Sequence, residues 1–410
     1  MNVILYLAEA FFVAYMMRII CLRLKIPAVS GYVVGGVILG GSLFFWIPDG
    51  RTFTGHWLYS EKTLADFQII TQIALGIIAL SIGTELEWKR LKHLGKSIIS
   101  IAFCEATVAF VVVTLITYII WKNISLSLIL GAISSATAPA ATVAVIQQYK
   151  AKGPLTSTIL AVVGLDDAIS FIIFAFALAI AKSSMNGEHI NLMIGLIMPF
   201  VEVIASLLLG TFIGLLTAKL ISLTNDQENL IFILGAMIFL VAGIASKFNL
   251  SELLANMACG SILINVYPLL KNKIRLSFRS FMPIFSALFF IIGGAHLNLY
   301  RFPSLWFISL VYFLCRAFGK IFGAFLGAAV GKADPLIKRW VGFTLLPQVG
   351  AAIALALVVQ QEFGNGGYGA QGVELAQMII NVLLITTLIT EFIGPFMTKT
   401  SLFKLGEAKE

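Results

Sequence analysis

Charge is what this chain has least of. Lys, Arg, Asp and Glu make up 12% of its 410 residues, where a soluble chain carries roughly a quarter. That shortage excludes a water-soluble globular protein, and hydrophobic residues, at 59%, fill the gap. Cysteine is scarce too. Cys21, Cys104, Cys259 and Cys315 lie in or beside apolar runs, with no metal-ligand spacing and no disulfide framework; they read as small buried hydrophobes. Of the four histidines, His56, His93 and His189 fall in loops and His296 near a span end. There is no phosphate loop, no zinc spacing and no nucleophile elbow, so neither an enzyme nor a cofactor is expected. Long polar stretches are also missing. The longest, roughly 47–66, is loop-sized, and the chain ends shortly after Thr400, so a separate nucleotide-binding domain is not expected.

What the chain has instead is a series of apolar runs of about 20 residues, each long enough to cross a hydrocarbon core. Thirteen are expected, near 3–22, 28–46, 66–84, 96–120, 126–147, 156–181, 191–218, 229–246, 250–268, 281–298, 303–331, 339–361 and 372–398. The start, MNVILYLAEAFFVAYMMRII, has no basic residue ahead of its apolar run and no small-residue cleavage site, so it reads as a first span rather than a signal peptide. Twenty of the 28 Lys and Arg cluster at alternate breaks, around 18–25, 89–96, 150–152, 219, 271–279, 332–339 and 399–409. The positive-inside rule makes that set cytoplasmic, with the N-terminus outside and the C-terminus in the cytoplasm. The net charge of +8 thus reflects topology rather than nucleic acid.

The spans repeat. IGTELEWKRL (82–91) lies on IGGAHLNLYRF (292–302) at an offset of 211, which also pairs Cys104-Glu105-Ala106 with Cys315-Arg316-Ala317. TAPAATVAV (137–145) faces LLPQVGAAIALAL (345–357), with Pro139 opposite Pro347. IPAVSGYVVGGVILG (26–40) can be laid on LSELLANMACGSILI (250–264), with Gly36 opposite Gly260. A unit of about five spans inserted twice in succession inverts its topology, an architecture common in secondary transporters. The fold class is therefore an all-α polytopic membrane protein with inverted repeats.

Few polar groups interrupt the spans. Asp166 and Asp167, in VVGLDDAISFII, are the only charges between Gly153 and Ala181. A carboxylate at that depth costs on the order of 2.5–3.5 kcal/mol, so the pair is expected to face a partner or a cavity. Neighbours on a helix point about 100° apart, so the two can differ in role. The natural partner is Lys320, which shares a helical face with Arg316 four residues earlier. Glu105 is the other acid deep in a first-half span, and a structural Glu105–Arg316 pair is expected near the pseudo-two-fold axis. SSATAPAATVAV (134–145) and the segment at Pro347 read as helix breaks at Pro139 and Pro347, where backbone oxygens can line a cavity. Ser134 and Thr137 add hydroxyls to that stretch.

Carboxylates, hydroxyls and carbonyls are hard ligands that suit an alkali cation. Burial and a like-charged neighbour favour the protonated form of a carboxylic acid, so protons and cations can compete for one site, and competition coupled to reorientation gives exchange. If Lys320 is ion-paired only while the site is proton-loaded, a second proton leaves with each cation, and transport is electrogenic. A sodium-coupled organic-anion symporter needs more basic or amide groups than Asn256 and Gln348 supply. A non-transporting sensor subunit has no reason to bury the two acids with Lys320.

Taken in order, KIPAVSGYVVGGVILG, LGIIALSIGTELEWKRL, SSATAPAATVAV, GLDDA, the Lys320 helix and GFTLLPQVGAAIALAL resemble the bacterial monovalent cation:proton antiporters of the Kef/NapA type over nearly the whole chain. The resemblance implies a fold with crossed, broken helices and an elevator mechanism. It implies a core of roughly 66–181 and 281–361, with helices of roughly 3–46, 191–268 and 372–398 as scaffold and homodimer interface in the cell membrane. It further implies that Asp167 is the main carrier of cation (Na+, Li+ or K+) and proton, that Asp166 partners Lys320, and that Thr137 lies at the site. GLDDA with Lys320 is similar to the potential-sensitive members; a K+/H+ or electroneutral exchanger is the alternative. Kef-type channels usually carry a cytoplasmic nucleotide-binding domain, which is not expected in this chain, so ligand-gated potassium efflux is not expected either.

Overall fold

A computed structural model describes residues 3–24, 28–40, 64, 67–84, 86–87, 95–138, 142–143, 145–146, 149–185, 192–223, 226–266, 271–296 and 302–408. Among them there is no β-strand. The helices are α1 (Val3–Leu24), α2 (Ala28–Leu39), α3 (Gln68–Gly83), α4 (Lys96–Trp121), α5 (Ile124–Ser134), α6 (Pro154–Met185), α7 (Leu192–Ser222), α8 (Gln227–Lys247), α9 (Glu252–Val266), α10 (Lys271–Ala295), α11 (Phe302–Val330), α12 (Pro335–Trp340), α13 (Gly350–Phe363) and α14 (Gly369–Lys404); a 3-10 turn, Val341–Leu345, follows α12. Seven helices are long and apolar enough to cross a membrane, the bent pair Pro335–Leu345 and Gly350–Phe363 makes an eighth span, and five shorter apolar helices occupy the remaining expected positions. Two expectations need adjusting. The basic stretch 271–279 begins α10 instead of forming a loop; its basic and apolar residues recur with a helical period, so it continues the span behind it. Cys104 is only half-buried, on α4, while the other three cysteines are buried.

Packing divides the chain into two units: residues 1–68, 95–170 and 290–410, and residues 69–94 and 171–289. In the first unit, α4 and α11 run antiparallel along a glycine stripe. A Cβ added at Gly319 would lie 2.7 Å from the Ala109 Cα, and one at Gly323 would lie 2.8 Å from the Glu105 Cα. At Gly327 and Gly331 it would overlap the backbone at Ser100 and Ser97. Lipid tails are as apolar as leucine, so close backbone approach, not apolar burial, drives helix pairing in a membrane. Glycine at every fourth residue from Gly319 to Gly331 gives that approach along the C-terminal part of α11.

Each unit also contains one copy of a reciprocal glycine contact between helices that the repeat pairs. In the first, Gly36 on α2 sits against the backbone at Ile291 and Ala295, and Gly294 on α10 sits against Val33. In the second, Gly260 on α9 sits against Leu80 and Thr84, and Gly83 on α3 sits against Met257. The α10 residues exceed their α3 counterparts by 211, and the α9 residues exceed their α2 counterparts by 224. The same reciprocal glycine contact has therefore been built twice, and the Gly36–Gly260 pairing read from sequence is the structural one.

Candidate functional site

The first unit holds two helix breaks that cross. α5 ends at Ser134, the Ser135 and Ala136 N–H groups still donate to Ala132 O and Ile133 O, and 137–138 continue as irregular backbone. After the 3-10 turn, 346–349 are likewise irregular before α13 begins. The two breaks are stitched together. The Ala138 N–H donates to the Pro347 carbonyl at 2.9 Å, the Thr142 hydroxyl to Thr344 O at 3.0 Å, the Thr137 hydroxyl to Leu345 O at 3.5 Å, and the Gln348 amide to Ile133 O at 3.0 Å. Pro347 lies in its break as expected; Pro139 lies outside the described residues.

A broken helix in a membrane leaves carbonyls that water cannot reach, and each needs a donor. Two cations on one face of α11 supply them. Arg316 donates through Nη1 to Leu346 O at 2.7 Å and through Nη2 to Ala136 O at 2.8 Å and Pro347 O at 3.4 Å, touching both breaks. Lys320, one turn on, donates to Ser135 O and to the Thr137 hydroxyl, the latter at 2.8 Å. Both cations are at carbonyl-rich helix ends, where the backbone dipole favours positive charge.

The carboxylates complete the group. Lys320 Nζ is 2.6 Å from Glu105 Oε2 and 3.4 Å from Asp166 Oδ2. Glu105, Asp166 and Lys320 are wholly buried, and Arg316 nearly so. The four formal charges cancel, which is what makes such burial tolerable. Asp167 is half-buried on α6.

The structure brings Asp166, Lys320 and Thr137 together as the sequence suggested. Ser134 is buried beside the break, but its hydroxyl donates back to Gly131 O within α5. The expected Glu105–Arg316 pair is not what forms: Glu105 meets Lys320, and Arg316 meets carbonyls. The glycine stripe gives the reason. Glu105 is level with Gly323 on α11. At about 1.5 Å rise per residue, Lys320 is three residues away and Arg316 seven, roughly 10 Å along the axis. Sequence reasoning also passed over Ser135, whose carbonyl accepts from Lys320, and the Gln348–Tyr312 contact at 2.8 Å. Ser170 was missed as well. Its buried hydroxyl has no hydrogen-bond partner among the described residues. Its position in DDAIS, three and four residues after the acids, was the available signal.

Three comparisons bear on this geometry. A family model described as "Sodium/hydrogen exchanger, transmembrane" matches residues 10–404. The high-affinity Na+/H+ antiporter NhaS3 of Synechocystis sp. is 22% identical over 96% of this chain and 88% of its own. The solved structure of the sodium proton antiporter MjNhaP1 from Methanocaldococcus jannaschii at pH 8 superimposes with a TM-score of 0.75 over 98% of both chains, at 19% identity. A second structure of MjNhaP1, from electron microscopy, gives 0.73 at 18% identity. At that identity the structural likeness establishes a shared fold.

Proposed function

We propose that this chain, which belongs to the transmembrane sodium/hydrogen exchanger family, exchanges a monovalent cation, sodium first among them, for protons by alternating access. The observation that carries the reading is the buried acid pair of α6 set against Lys320 where two helix breaks cross. Carboxylate, hydroxyl and backbone oxygens together form a hard donor set. Asp167, half-buried and next to the charge cluster, is the residue assigned to carry the cation in one state and the proton in the other. Asp166, Thr137, Ser134 and Ser170 are its candidate neighbours in binding. Residues 66–181 and 281–361 are taken as the part that carries the site, the remaining helices as scaffold and homodimer interface, and the membrane as the bacterial cell membrane with the C-terminus in the cytoplasm.

Reconstitution into liposomes with a pH dye tests this directly. Sodium added outside should move protons, with lithium and potassium titrated in parallel. Asp167→Asn should fold, survive purification and transport nothing. Sodium-driven proton movement that persists in Asp167→Asn at the wild-type rate refutes the assignment.

A further inference from the structure

Glu105 is the one acid of the charge cluster to which the exchange reading gives no part. It comes from α4, a helix that carries neither a break nor an aspartate, though its carboxyl reaches the Asp166 side chain. Yet its Oε2 is closer to the Lys320 ammonium than either Asp166 oxygen is, at 2.6 Å against 3.4 and 3.5 Å. Attraction falls with distance, so in this arrangement Glu105 is the nearer counter-ion and Asp166 the outer one. Glu105 also has nowhere to go. Its Cα is the atom against which Gly323 packs, and the stripe of Gly319, Gly323, Gly327 and Gly331 fixes α4 to α11. Besides Lys320, its carboxyl meets the Asp166 side chain. The remaining titratable groups on this face are Arg316, held by three carbonyls, and Tyr312, which accepts from the Gln348 amide.

We propose that Glu105 is the standing counter-ion of Lys320 and keeps it protonated throughout the transport cycle. The proposal rests on the reading that Asp167 carries the exchanged ion. When a cation enters and draws Asp166 toward it, Lys320 loses its outer carboxylate and keeps its inner one, so its proton stays. The charges then balance in both loaded forms. With cation bound, three carboxylates (Glu105, Asp166, Asp167) face Lys320, Arg316 and the cation. With proton bound, Asp167 is neutral, and Glu105 and Asp166 face Lys320 and Arg316. Each form is neutral, one proton is exchanged per cation, and transport is electroneutral. A sequence-based expectation of a second proton takes Asp166 as the sole carboxylate of Lys320; Glu105 supplies another. Glu105 is thus a positioning residue acting through Lys320.

The test uses the full chain in liposomes, with sodium as the cation and potassium–valinomycin potentials imposed. In the wild type the sodium gradient at which proton flux reverses should not move with potential. Glu105→Gln removes the inner counter-ion. Its flux should become potential-dependent, and its pH profile should move because Lys320 now titrates during the cycle. Glu105→Asp should restore wild-type behaviour. Purified wild-type protein supplies a measurement that needs no variant: proton release on adding sodium, counted against sodium bound, should be one for one. Two protons per sodium, a wild-type reversal point that shifts with potential, or a Glu105→Gln protein that transports with unchanged coupling and pH profile each overturn the proposal. Failure of the underlying reading looks different, because Asp167→Asn would then still transport and still release protons on sodium addition.

Discussion

Glu407 near the C-terminus should stabilise the helix that carries the two aspartates, and removing it should cost a defined amount. The first turn of α6 has N–H groups with no helical acceptor. Pro154, its first residue, has none to offer, which is why proline is favoured there. The next two, Leu155 and Thr156, donate to the Glu407 carboxylate at 2.7 and 2.8 Å, and the Thr156 hydroxyl adds a third bond at 2.7 Å. Lys152 N donates to the Glu407 carbonyl at 3.0 Å. Gly153 makes room, since a Cβ there would overlap the Glu407 side chain. Hydrogen bonds to a charged acceptor are worth about 1.5–3 kcal/mol each. Glu407 is only half-buried, so water can take over part of that role, and the range measured for lost N-caps, about 0.5–2 kcal/mol, is the better guide.

Glu407→Ala should therefore lose about 1–2 kcal/mol, and Glu407→Gln about half of that, since it retains an acceptor without the charge that the helix dipole favours. Thermal unfolding of the purified protein would read this as a fall of a few degrees. Gly153→Ala should cost the same by expelling the carboxylate. In the Glu407→Ala background it should cost nothing further, because the atom it collides with has gone. Additive losses from the two substitutions would refute the capping argument. The docking of the tail should survive, since Leu402 and Ala408 remain buried against Leu155 and Ile159.

Gly323→Ala should separate α4 from α11 and lower the thermal midpoint, by the 1–3 kcal/mol typical of overpacking or about that; Gly243→Ala on α8, where an added Cβ meets nothing within 4 Å, should be neutral or mildly stabilising. Arg316→Lys should lose transport and stability despite the conserved charge, because an ammonium cannot span the carbonyls of Leu346 and Ala136 as a guanidinium does. Activity and melting temperature equal to the wild type would show that the fork is not needed.

Much of this was legible in the sequence because membrane folds are governed by few rules. Apolar length set the spans. The SSATAP and LLPQ interruptions marked the breaks that cross, since proline and small polar residues in a span need a local reason. The repeat was legible through its glycines, and the paired offsets of 211 and 224 recur in the contacts at Gly36, Gly83, Gly260 and Gly294. The partner of Glu105 was misread because repeat equivalence was taken for contact. Equivalence places Glu105 and Arg316 at matching positions of two halves; it does not say how far α4 has slid along α11. That slide is set by Gly319, Gly323, Gly327 and Gly331, whose four-residue spacing marks the contact face in the sequence but whose partners on α4, Glu105 opposite Gly323 among them, appear only in the structure.

The charge count of the cluster follows from the backbone as much as from the transported ion. Two crossing breaks leave the carbonyls of Ser135, Ala136, Leu346 and Pro347 facing each other in a place that excludes water. Carbonyl ends of helices carry partial negative charge, so donors alone would leave an unbalanced field, and cationic donors are required. Arg316 serves three of those carbonyls and Lys320 the fourth. Two buried cations then need two buried anions, and Glu105 and Asp166 are what the unit supplies. On this argument the acid beyond the balance is Asp167, the one not wholly buried. It can be neutralised by either a proton or a cation without disturbing the other four charges. That is the electrostatic condition for exchange at a single carboxylate.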